Sequence, residues 1–238
     1  MAIEEIFKFP QYYEDADDDL KLKINKQIED NYISKIDWNE IDLHQSNWNK
    51  NIDSAYTTLG SDIINLIDHN NLSALKSFIL SGVKEYLNYC DWSYDAVKIH
   101  DSWSVIGSKG SVQGHHTHGY GVGCGQISGV YYVNGIPSAD GGRLYLQSPY
   151  YPKVSDTFPF GNKCFGDVWY DALPGRVIMF PAWMTHWVSP IYLEDYKRIV
   201  ISFNITAENG HPSRCGSKKS EIENMVKNWN KNIDSAYE

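Results

Sequence analysis

At 238 residues, 42% of them hydrophobic and 14% aromatic, the chain can bury a genuine core as one large domain or two small ones without metal or disulfide staples. A formal charge of −9 argues against broad, sequence-independent binding to nucleic acid or to an anionic membrane, because neutralising phosphates needs a basic stripe, and leaves room only for a local basic groove. No window approaches the roughly 18–20 apolar residues of a membrane span, and Met1 to Pro10 has no long apolar core, so the chain reads as soluble, intracellular and cytoplasmic.

The first third carries helical periodicity. Leu20, Ile24, Ile28 and Tyr32 recur every fourth residue, and Leu75, Phe78, Ile79, Val83, Tyr86 and Leu87 trace a second apolar stripe. Near Ala96 the pattern changes to short runs rich in β-branched and aromatic residues: 97–106, 127–133, 143–147, 168–173, 176–180, 186–189 and 198–205. Asn134-Gly135, Asp140-Gly141-Gly142 and Pro174-Gly175 mark tight turns between antiparallel strands. About seven strands behind helices predict a mainly β fold, a sandwich or jelly roll with a helical flank. The expected division is a helical support region over 1–95, a β core over 96–207 and a polar helical extension over 208–238, all in one structural domain. The ten residues NWNKNIDSAY stand at 47–56 and again at 228–237. Two copies do not build a solenoid. Cys90, Cys124, Cys164 and Cys215 lie in no metal-binding or redox spacing and read as ordinary small side chains.

Three of eight histidines fall in Gly114-His115-His116-Thr117-His118-Gly119. In an extended segment residues i and i+2 share a face, so His116 and His118 point together, whereas His115 faces away unless a bulge swaps the roles. Two imidazoles on one face can clasp a metal, or they can be a plain surface or core pair. His186, just past the strand over 176–180, is the best third ligand, and imidazoles suit iron, copper, nickel or zinc alike. His44, His69, His100 and His211 lack such company and are assigned to structure.

Arg198 opens the last predicted strand, twelve positions after His186. A buried arginine needs an anion, and its planar fork matches a carboxylate through two hydrogen bonds. Ser202, on the same strand face, could donate to that carboxylate too. A structural ion pair with an Asp or Glu is the competing reading of Arg198.

Together these residues resemble the 2-oxoglutarate and iron(II)-dependent oxygenases, and within them a bacterial and phage group similar to prolyl hydroxylases. Four segments carry the resemblance in order, from Ser102 to Ile205: His116-Thr117-His118, where the family has HxD or HxH; Ser128 to Asn134, similar to a YYLN-like strand; Gly141-Gly142-Arg143-Leu144; and Pro174-Gly175 through Phe180-Pro181 to His186 and Arg198. The resemblance implies a double-stranded β-helix that holds one iron(II) by His116, His118 and His186. It implies 2-oxoglutarate held at its far carboxylate by Arg198 and Tyr132, and oxygen as co-reactant, with succinate and carbon dioxide as coproducts. The expected substrate is a protein or peptide side chain, prolyl-hydroxylase-like, or a small molecule. In one respect the chain departs from the pattern: His118 stands where most of the superfamily has a carboxylate, so three neutral ligands leave the iron one negative charge poorer.

Two other functions fit parts of the sequence. A cupin-type dioxygenase with three histidines would need no 2-oxoglutarate, and Arg198 with Tyr132 argues against it. A non-catalytic jelly roll binding glycans or another ligand would use the aromatic stretches Ser148 to Pro152 and Trp183 to Trp187, which otherwise read as walls of a substrate cleft.

Overall fold

The computed structural model describes residues 9–39, 52–59, 61–118, 125–149 and 167–212. In chain order the elements are β1 (Tyr12–Asp15), α1 (Asp18–Asn31), β2 (Ile52–Thr57), α2 (Leu66–His69), α3 (Ser73–Tyr89), β3 (Trp92–Ser93), β4 (Ala96–His116), β5 (Ile127–Tyr132), β6 (Leu144–Leu146), β7 (Val168–Tyr170), β8 (Arg176–Pro181), β9 (His186–Val188), β10 (Arg198–Glu208) and β11 (His211–Pro212). The antiparallel sheet runs β1-β8-β5-β10-β4-β9-β6-β7, with β2 also on β4, while β3 pairs with β11 separately. The mainly β expectation holds.

One long strand makes the sheet curl. β4 pairs with β10 through its first half, Ala96 to Gly107, and with β9 only at its far end, where Gln113 opposes Val188 and His116 opposes His186. The expectation of a strand ending at Ile106 is corrected: Gly107-Ser108-Lys109-Gly110 interrupts the apolar pattern without ending the strand. The histidine segment thereby ends the strand that joins both halves of the sheet.

Alternation along the central strands divides the interior into two cores. Ile199, Ile201, Phe203 and Ile205 of β10 face the helices together with Val177 and Met179 of β8 and Tyr131 of β5. Val200, Ile178, Phe180 and Tyr132 face the opposite way, toward Trp103, Val105, Leu144, Leu146 and Val188. Because both faces are covered, β10 reads as a near-continuous buried run.

The predicted stripes form α1 and α3. The Asp17 side chain caps α1 by accepting from the Leu20 amide at 2.8 Å, and Asp18 and Asp19 face the positive end of the helix dipole. Ile24 and Ile28 are fully buried on the sheet, and Asn25 binds it by donating to the Val133 carbonyl and accepting from the Tyr131 hydroxyl. The region expected to be helical support also contributes two strands to the sheet, β1 on β8 and β2 on β4. Neither carries enough apolar alternation to announce itself. Pro174-Gly175 is a turn, with Gly175 at φ 84°, but it joins β7 to β8, which pair with different partners rather than with each other.

Half of the repeated decapeptide is visible: residues 52–56 lie in β2, whereas 47–51 and 228–237 fall outside the described residues, as does nearly all of the expected C-terminal extension. No helix among the described residues is long and apolar enough to cross a membrane.

Candidate metal centre

Strand pairing brings the three predicted imidazoles together. His116 and His186 are cross-strand partners, and His118 follows two residues on, its amide donating to the Ala182 carbonyl at 2.9 Å. One ligand nitrogen from each of the three lies within 4.8 Å of the others. The ring centroids of His116 and His186 are 4.1 Å apart, and those of His118 and His186 are 4.8 Å apart. His115 points outward, against Trp187, so the bulge between Gln113 and His116 has not exchanged the two histidines.

The hydrogen bonds fix the tautomers. Nδ1 of His116 donates to the Gly114 carbonyl at 2.8 Å, Nδ1 of His186 to the Met184 carbonyl at 2.9 Å, and Nδ1 of His118 to Asn204 Oδ1 at 2.9 Å. Each ring therefore keeps its Nε2 lone pair for the pocket, and the Nε2 atoms of His116 and His118 are 3.3 Å apart. Burial pushes all three pKa values down, that of His116 to about 4, and the rings' proximity lowers those of His116 and His186 further. Neutral imidazoles with converging lone pairs are what a divalent ion requires. The donor set fits iron(II).

Beside the histidines the pocket is lined by Tyr132, Arg198 and Ser202, with Trp103, Gln113 and Gly129 among its other walls. Arg198 is 4% exposed. Its Nη1 donates to the Gly142 carbonyl at 2.9 Å, its Nε is buried without a partner, and no acidic side chain among the described residues pairs with it. The ion-pair reading of Arg198 is not met. A buried cation with an unused donor fits an incoming carboxylate such as the far end of 2-oxoglutarate. Tyr132 is buried in the same wall, and burial raises its phenol to about 12, so it stays protonated and able to donate.

Several contributors escaped the sequence. The Gln113 amide, 3.1 Å from His116 Nε2, occupies the lone pair that a metal would take in its place, and Asn204 anchors His118. The two-residue period that picks out Arg198 and Ser202 reaches Asn204, and that signal was available. The aromatic stretch around Trp183 does not line this pocket: Trp183 packs edge-on against Phe9 and Trp187 stacks on Tyr145, while 150–152 lie outside the described residues.

The curled sheet is a double-stranded β-helix whose interior can hold one metal ion on three imidazoles. A family model described as Putative 2OG-Fe(II) oxygenase matches residues 101–204. Among solved structures, the chain is similar to a prolyl hydroxylase from Trichoplax adhaerens, in complex with a hypoxia inducible factor oxygen degradation domain peptide fragment. The identity is 16%, the TM-score 0.53, and 87% of each chain is covered. A prolyl-4-hydroxylase from Pseudomonas putida is similar at 13% identity and TM-score 0.50, covering 82% of this chain and 92% of that one. HygX from Streptomyces hygroscopicus, with nickel and 2-oxoglutarate bound, is similar at 12% identity and TM-score 0.50, covering 84% of each. At these identities the structural likeness speaks for the fold. No curated protein matches the chain. Over residues 101–204 the core of this chain is similar to that of the 2-oxoglutarate/Fe(II) oxygenases, and it carries a group of three histidines that could hold a metal ion.

Proposed function

We propose that the protein is a dioxygenase in which His116, His118 and His186 hold iron(II), and Arg198, Tyr132 and Ser202 bind 2-oxoglutarate. It would hydroxylate a protein side chain, in the manner of a prolyl hydroxylase, or a small molecule. Residues 96–207 form the catalytic core in this reading, 1–95 its support and 208–238 an extension. The observation that carries it is the pairing of three convergent Nε2 lone pairs with a buried arginine that no acid among the described residues neutralises, both on the walls of one pocket.

Iron(II) held by the three histidines would, with 2-oxoglutarate and oxygen, supply the oxidising chemistry, with succinate and carbon dioxide as the expected coproducts. The residues of the chain position and exclude. Arg198 offers its unused donor, and protonated Tyr132 and Ser202 add neutral ones, so a dicarboxylate is oriented with one end on the guanidinium and the other toward the histidines. Phe180, Val188, Val200 and Leu144 wall the space between with apolar surface and keep water from the reacting centre. A three-histidine dioxygenase working without 2-oxoglutarate would leave the buried Arg198 without an anion, and this observation counts against it.

Arg198→Ala is expected to weaken 2-oxoglutarate binding by roughly 1.5–3 kcal/mol for each charged hydrogen bond lost, leaving metal binding in place. Calorimetric titration of the nickel-loaded protein reads it. Unchanged affinity would remove the assignment of the cosubstrate pocket. Succinate formed under oxygen with candidate peptides then tests the substrate class.

A further inference from the structure

Three residues lie side by side across the central strands, behind His118. Asn204 of β10 is the register partner of Asp101 on β4 and of Ser128 on β5. Partners in register point to the same face, so the three side chains form one row. The Asn204 amide has a defined orientation. Its Oδ1 accepts from the Ser128 hydroxyl at 2.7 Å and from His118 Nδ1 at 2.9 Å, which leaves its NH₂ group to donate. Beside that NH₂ group, as its register partner, stands the Asp101 carboxylate, whose pKa burial raises and the Asn204 amide groups act to lower. Asp101 Oδ1 is itself buried with no partner among the described residues. Space for the row is provided at Gly125, where a Cβ would come within 2.6 Å of the Asn204 Cβ.

A half-buried carboxylate with one oxygen buried and unpaired is costly to keep unless its charge serves a neighbour. The neighbour here is the imidazole that occupies the position where most of the superfamily has an acid. We infer that Asp101, acting through the Asn204 amide, supplies His118 with the negative charge its own side chain lacks, making the imidazole a stronger donor to the metal and holding its Nε2 on target. Polarisation passes along the row: the carboxylate draws on the Asn204 NH₂, Oδ1 becomes more negative, and Oδ1 draws on the His118 Nδ1–H. Asp101 and Asn204 are positioning residues; neither reaches the reacting atoms. The inference rests on the proposal that His118 is a metal ligand.

Cobalt(II) affinity and the visible spectrum of the cobalt protein, measured without cosubstrate or oxygen, test it. Asp101→Asn keeps size and hydrogen-bonding capacity but removes the charge, and it is expected to weaken cobalt binding about 3- to 10-fold and shift the ligand-field bands. Asn204→Ala removes the connection and is expected to cost about 10- to 100-fold; Asp101→Asn added to it should change nothing more. In a His118→Asp background, where the ligand carries its own charge, Asp101→Asn should no longer weaken binding. Equal weakening in the His118 and His118→Asp proteins would mean a merely structural role and would overturn the inference, as would wild-type affinity in Asp101→Asn. His118→Ala separates the two claims. If it leaves cobalt affinity intact, the ligand assignment itself falls; if it abolishes binding while Asp101→Asn is silent, only the relay falls.

Discussion

Neutral imidazoles carry a cost that appears only in acid. His116 holds a pKa of about 4 in the fold against 6.5 as a free side chain, and those of His118 and His186 are also lowered. Between those two values the unfolded chain takes up protons that the folded protein refuses, so the unfolded state is favoured progressively as pH falls. The metal-free protein should therefore lose stability as pH drops from about 6.5 toward about 4, with little further loss from His116 below that. Urea denaturation at pH 7.5, 6 and 5 measures this slope. His116→Gln should flatten it, and a slope unchanged by that substitution would contradict the protonation states assigned here.

At the scale of elements, the helices stabilise one face of the sheet and the site occupies the other. Ile28 is fully buried under α1, whereas Leu22 on the same helix is 70% exposed. Ile28→Ala should cost about 2–5 kcal/mol in urea denaturation and Leu22→Ala no more than about 0.5 kcal/mol, while both leave metal affinity unchanged. A drop in metal affinity with Ile28→Ala would mean that the two faces are coupled. The same geometry explains what the sequence revealed. Helical stripes and alternating strands exposed α1, α3 and the core of β10 because their burial has a period. β1 and β2 stayed hidden because their places come from pairing with distant strands, and β4 looked shorter because its far half is polar and glycine-rich. The i, i+2 logic of the histidines anticipated their common face and the outward turn of His115. Asn204 obeys the same period, but nothing local in the sequence shows that Ser128 and Asp101 flank it.

For the molecule as a whole, the sheet separates two interiors of opposite character: one apolar and sealed by helices, the other lined by three imidazoles and a guanidinium. The second is stable only because each polar group in it is satisfied or awaits a ligand. The net charge of −9 adds no general attraction for an anionic cosubstrate, so in the proposed function recognition of a dicarboxylate would fall to Arg198 and its neighbours. Anaerobic titration of the wild-type protein with iron(II) and then 2-oxoglutarate, followed by visible absorption, tests the account most directly. One iron per chain and a new charge-transfer band that saturates at one 2-oxoglutarate, with iron retained but the band weakened in Arg198→Ala, is the predicted result. No iron binding, or a band that Arg198→Ala leaves untouched at every 2-oxoglutarate concentration, would contradict it.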